Sequence, residues 1–461
     1  MSRWEGLILA VIVLVAAFLR FHRLVDIEHN VDHAYPIWQA LMTLEHDFFP
    51  AVGQGTSVLF ANPALTGYLY LPFIALTRSP LGAYLLVISL NTLAVLLAFR
   101  AGQGLLGVRP ALVAALLLAV NPWIIECSRA TWVQSLLPFF ACALAWLLWP
   151  ALLGKSKNPT RRMLLALILL TLYTQTYLLA FVTLAPVLLL IVIFRRNGPR
   201  RALVIGGFIF ALATLVYGMG LFEQADTVRA RLGEFSGDPR HLSAEAWEHG
   251  LRLVSGEDYE LARGQQAPIQ DAGLRHDLSR IAHVVLSAAL VVGMGLAVVG
   301  VVSERWLRTV PPEAKSPPAA VKNGKPTEVG WTARYPNNYA KHIVASLLAY
   351  GDWRAGTILL LWFGLPILLM SYVGQPVHPF YQLIGLPAGH ILAAWGLCAV
   401  LRPYTRWGSS VLIVLAVPFA ILMGVNSSRF AEESAATAGI DGLGALPLEY
   451  GLQLGRAINE H

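Results

Sequence analysis

The sequence predicts an all-α polytopic membrane protein, a single bundle of about eleven transmembrane helices with a polar first outer loop. Three observations carry this. Of 461 residues, 56% are hydrophobic and only 13% charged, a balance foreign to water-soluble globular domains. Apolar runs close to the ~20 residues needed to cross a bilayer recur from end to end. Basic residues gather between those runs, at Lys155 to Arg162, Arg195 to Arg201 and Arg402 to Arg406, where they orient the helices. The net charge of +7 is therefore a topology signal, and no nucleic-acid partner is expected.

The first run, Gly6 to Phe21, follows a basic residue but has no small-residue cleavage site after it. It reads as a retained helix that leaves the cytoplasm and delivers residues 22–80 to the outer side. Within that segment Asn62 to Thr77 is apolar, yet if it crossed, Arg100, Arg109 and every later basic loop would fall on the wrong side. It is read as a re-entrant or juxtamembrane helix. The crossings then lie near 6–21, 81–99, 110–126, 133–151, 162–176, 178–194, 202–222, 282–303, 355–373, 380–400 and 408–425.

This topology makes 1–425 one transmembrane domain and 426–461 a short extracytoplasmic tail. The outer face receives 22–80, the turn Glu126 to Trp132, the loop 223–280 and the turn Gln375 to Pro379. The amphipathic run Ser243 to Leu253 predicts a small helical cap in 223–280. The cytoplasmic loop 304–354 contains a Pro-, Ala- and Lys-rich stretch, Pro311 to Lys325, that reads as a flexible linker. Cys127, Cys142 and Cys398 lie in or beside apolar helices, so neither a disulfide framework nor a zinc site is expected. No internal repeat is visible.

Chemistry is expected where carboxylates and imidazoles concentrate at the membrane surface, in the segment opening with His22. Asp32, in Asn30-Val-Asp32-His33-Ala-Tyr35, is the candidate general base for a sugar or lipid hydroxyl. It also suits the N-cap of the helix that follows, and both roles stay open. Asp32 and His33, with Glu28, His29 and His46 nearby, are candidates for a divalent cation such as Mg or Mn. Their spacing matches no familiar ligand pattern, and solvated interfacial side chains are the other reading.

The outer turn from Asn121 to Gln134 places Glu126, Arg129, Trp132 and Gln134 together. Arg129 suits a phosphate fork or, equally, a pair with Glu126 at i, i+3. Asn62 and Tyr68 belong to the re-entrant segment. Tyr173 and Tyr177 flank a polar break between two apolar runs, and His378 and Tyr381 mark a second.

In the order of these landmarks the chain resembles the GT-C membrane glycosyltransferases. It is most similar to the bacterial branch related to protein O-mannosyltransferases and the lipid A aminoarabinose transferase. The resemblance covers most of residues 1–425 and implies a GT-C-like bundle in a bacterial plasma membrane, with its N-terminus cytoplasmic and its C-terminus extracytoplasmic. It implies transfer of a sugar from a polyprenyl-phosphate donor to a glycolipid or protein acceptor at the extracytoplasmic face. Asp32 matches the acidic position of the first outer loop, and Arg129 and His378 match positions that meet the donor phosphate. His33, Tyr35, Asn62, Tyr68, Glu126, Trp132, Gln134, Tyr173, Tyr177 and Tyr381 complete the implied donor and acceptor surface.

The chain departs from the pattern in three places. His33 stands where many relatives have a second acid, Asn62-Pro63 replaces a His-Pro or Lys-Pro pair, and the Asp common at the start of the fourth crossing is replaced near Gln134. Two rival classes remain. A transporter or flippase of lipid-linked sugars would need polar residues along a path through the helices, and their middles carry few. A non-catalytic GT-C relative that binds lipid is consistent with the departures.

Overall fold

The computed structural model describes residues 1–24, 27–56, 60–237, 241–257, 274–309, 321–322, 325–326, 353–373, 377–401, 418–419, 421–425 and 446–447. Helices dominate. In chain order they are α1 (Arg3–Phe21), α2 (Val31–His46), α3 (Leu65–Thr77), α4 (Leu81–Leu106), α5 (Val108–Val120), α6 (Pro122–Ser128), α7 (Leu137–Leu152) and α8 (Pro159–Thr174). Then come α9 (Leu184–Ile193), α10 (Arg200–Glu223), α11 (Ala225–Gly237), α12 (Glu245–Ser255), α13 (Leu274–Thr309), α14 (Trp353–Met370) and α15 (Ala388–Leu401).

Among the described residues six helical spans are long and apolar enough to cross a membrane: Arg3–Phe21, Leu81–Leu106, Val133–Leu152, Arg200–Glu223, Asp277–Val302 and Trp353–Met370. Two bent pairs bring the number to at most eight. The count of about eleven is thus reached only in part. The run near 110–126 breaks by 60° between α5 and α6. Pro122 supplies the break, because it cannot donate a backbone hydrogen bond, and extended Asn121 restarts the helix as its N-cap. The run near 380–400 is a 3₁₀ segment, Pro379–Gly385, set at 77° to α15. At 16 residues α8 is short for a span, and a 3₁₀ turn, Leu178–Thr183, leaves α9 only 10. Most of the stretch near 408–425 lies outside the described residues.

Helices α4, α5, α7 and α15 form the buried centre, which is dense in alanine and leucine. Helices α1 and α10 sit at the edge, their apolar faces largely exposed, as lipid contact requires. α13 and α15 cross closely: a Cβ on Gly293 would lie 1.9 Å from the Leu392 carbonyl oxygen, and one on Gly396 would lie 2.0 Å from that of Ala289. Helix α3, at 13 residues, is too short to cross upright and packs between α2 and α4.

The cap helix of the 223–280 loop is α12, which rests on α13 and on Pro379–Gly385. Cys127, Cys142 and Cys398 are free and buried. Of the linker only two short pairing segments, and of the tail only Leu446–Pro447, are described; the latter pairs antiparallel with Glu28–His29.

Candidate functional site

Asp32 occupies the first turn of α2 and is exposed. It is not the cap: Asn30 is, its side-chain oxygen accepting the His33 amide at 3.1 Å. The cap reading of Asp32 is corrected, and its carboxylate is left for another partner. That partner is Gln54, whose Nε2 donates to Asp32 Oδ1 at 2.6 Å. The positive end of α2 favours the same negative charge.

Next to Asp32, His33 is buried and begins a continuous row of rings. His33 meets Trp132 edge-on at 5.2 Å between centroids, and Trp132 meets Phe380 at 5.6 Å. Phe380 stacks on His378 at 5.2 Å, and His378 meets Tyr381 edge-on at 5.3 Å. Tyr381 reaches Tyr177 at 6.5 Å, and the Tyr177 hydroxyl accepts from Gln134 Nε2 at 3.1 Å. Residues from four distant segments therefore converge. Thr131 fixes the register, donating its hydroxyl to the His33 carbonyl at 3.0 Å.

Asn62 connects the two ends of this arrangement. Its Oδ1 accepts the Leu178 amide at 3.0 Å, next to Tyr177, and its backbone amide donates to the Gln54 carbonyl at 2.7 Å. Other expected site residues lie elsewhere. Tyr35 packs on Trp38, Tyr68 stacks on Phe49 and donates to the Pro50 carbonyl, and Tyr173 is buried against Phe140. Glu126 is buried in α6.

Arg129 is also buried, and its guanidinium is committed to backbone: it donates to the carbonyls of Leu19 at 3.3 Å, His22 at 2.5 Å and Arg23 at 3.0 Å, at the end of α1. Arg20 returns the contact from α1. It donates to Leu118 and Ala119 carbonyls at the end of α5, at 3.3 and 2.9 Å, and to Ser128 Oγ at 3.2 Å. Arg129 thus serves carbonyls at the end of α1 and Arg20 those at the end of α5, where positive charge is favoured.

Burial pushes the His29 and His378 imidazoles below their ordinary value, toward the neutral form. His29 Nδ1 lies 2.8 Å from the Tyr84 hydroxyl. Among the described residues no three His, Cys, Asp or Glu side chains come together as a metal-binding group. The arrangement offers an oriented, solvent-facing carboxylate on the residue next in sequence to the first ring of the row. Gln54, Phe380 and Arg20 are absent from the sequence-based candidates. Only Gln54 has a local signal, the Gly53-Gln54-Gly55 triplet that marks a tight loop.

No family model and no curated protein matches the chain. Solved structures do show likenesses. The apo oligosaccharyltransferase of Archaeoglobus fulgidus is 14% identical with a TM-score of 0.49, over 93% of this chain and 56% of that one. ArnT from Cupriavidus metallidurans bound to undecaprenyl phosphate is 14% identical with a TM-score of 0.39, over 87% of this chain and 78% of that one. The Pmt1-Pmt2 protein O-mannosyltransferase of S. cerevisiae bound to the sugar donor is 17% identical with a TM-score of 0.37, over 50% and 34%. This chain spans 56% of the archaeal enzyme's length, and at these identities no residue role passes from those proteins to it.

Proposed function

We propose that the protein is an integral membrane glycosyltransferase that moves a sugar from a polyprenyl-phosphate donor to a hydroxyl acceptor at the extracytoplasmic face of a bacterial plasma membrane. The observation that supports this most is Asp32: an exposed carboxylate, relieved of capping by Asn30 and oriented by Gln54, next in sequence to His33, the first ring of the row. In this reading Asp32 takes the acceptor proton as the acceptor oxygen bonds to the anomeric carbon. The bond from that carbon to the phosphate oxygen breaks, and its electron pair leaves on the polyprenyl phosphate. The rings from Trp132 to Tyr381 flank the sugar and exclude water. His378, exposed within the row, is the contact proposed for the leaving phosphate, donating a hydrogen bond from its imidazole N–H, since the Arg129 guanidinium donates to α1.

The test is transfer from radiolabelled polyprenyl-phosphate sugars in proteoliposomes with membrane extract as acceptor, comparing the parent chain with Asp32→Asn. A general base is worth roughly 10²–10⁴ in rate, so the variant is expected to lose at least about a hundredfold while keeping its melting temperature. Equal rates in the two proteins would remove Asp32 from catalysis. Absence of transfer with every donor would move the reading to a lipid-binding relative, which the replacement of a second acid by His33 favours.

A further inference from the structure

We infer that Gln54 is a positioning residue for Asp32, held in place by a loop that Asn62 locks to the aromatic end of the site. The inference rests on the reading of Asp32 as the base. A single side-chain hydrogen bond at an exposed site is worth little unless both partners arrive already oriented. Here both do. Asp32 stands in the first turn of a helix whose cap is supplied by another residue. Gln54 projects from a backbone pinned on either side: the Gly53 amide donates to the Asn62 carbonyl at 2.6 Å, and the Gln54 carbonyl accepts the Asn62 amide at 2.7 Å and Asn62 Nδ2 at 3.2 Å.

Asn62 is itself buried and anchored through Oδ1 to the Leu178 amide. Next to it, the Ala61 carbonyl accepts the Tyr217 hydroxyl from α10 at 2.6 Å. The two flanks of Gln54's anchor are closely packed. A Cβ at Gly53 would sit 2.9 Å from the Pro63 carbonyl oxygen, and one at Gly220 of α10 would sit 2.7 Å from Ala51 Cβ.

The consequence is chemical. Gln54 occupies Oδ1 with an amide proton, so the carboxylate is fixed in rotation and Oδ2 is the oxygen directed to an incoming hydroxyl. Asn62, read from sequence as a lost cationic contact, becomes the residue that ties base and ring row into one rigid unit.

The experiment compares parent, Gln54→Ala and Gln54→Glu by two readouts on the full chain in proteoliposomes. The first is steady-state transfer: kcat is expected to fall roughly ten- to hundredfold with KM for the donor unchanged, and further in Gln54→Glu, which sets a second carboxylate against the first. The second is the Asp32 carboxylate stretch in the infrared, isolated as the difference from Asp32→Asn, which is expected to shift when the amide donor is removed. A band that stays in place in Gln54→Ala overturns the inference even if no donor is turned over. An unchanged kcat in a chain that does transfer sugar overturns it while leaving the proposed function standing.

Discussion

Two arginines show how far a residue's chemistry depends on what surrounds it. In sequence Arg129 is a phosphate fork or half of an ion pair; in the fold its guanidinium donates to the carbonyls of Leu19, His22 and Arg23. Arg129→Ala would remove the donor from those part-buried carbonyls, at about 1–3 kcal/mol for each one that water does not reach. The expected outcome is a lower unfolding midpoint in detergent, with donor affinity unchanged in the folded fraction. Arg129→Lys should restore part of the stability, because one ammonium cannot spread over three carbonyls as a guanidinium does. A selective loss of donor binding with stability intact would return Arg129 to the phosphate. Arg20 was not a candidate at all: at the end of an apolar helix a basic residue reads as an interfacial anchor, and its acceptors lie about a hundred residues away.

At the scale of elements, the crossing of α13 and α15 is set by glycine. Gly396→Ala would drive a methyl group into the Ala289 carbonyl, so the helices must separate, at a cost of about 1–3 kcal/mol. Thermal unfolding of the purified variant checks this, and Gly207→Ala, where a Cβ meets nothing within 4 Å, serves as the neutral control. Helices of this kind were legible: α1, α4, α10 and α14 lie close to the apolar runs that announce them. Their breaks were less so. Pro122 was visible, but an apolar run gives no sign of whether a proline bends it by a few degrees or by 60°. The shortness of α3 was legible indirectly, from the charges that would otherwise fall on the wrong side.

For the molecule as a whole, His33, Trp132 and Phe380 bring three distant segments together, and α12 packs on α13 and on Pro379–Gly385. His249 on α12 lies 3.5 Å from Glu245, and burial, aided by the charge of Arg252, holds its imidazole below the ordinary value of 6.5. His378, under the same cap, is lowered by burial while Glu245 opposes the shift. A histidine depressed in the folded state contributes no penalty above 6.5 and an increasing one as pH falls from there toward its folded value. The protection factors of the α12 amides, taken relative to the intrinsic exchange rate at each pH, should therefore fall between pH 7.5 and pH 5, and His249→Leu should flatten that dependence; protection independent of pH in the parent would show α12 to be held by other contacts. The ring row could not be read as a unit from sequence. His33, Trp132, Tyr177 and His378 follow no period, and only the packing of α2, α7 and α12 against the later turns brings them into line. The traded arginines have a final consequence, for biogenesis. When α1 leaves the ribosome, the carbonyls that will receive Arg20 have not been made, and the end of α1 has no Arg129 to close it. Until α6 is synthesised α1 must wait with Arg20 at the membrane surface, and its docking becomes the event that certifies the first half of the bundle as assembled.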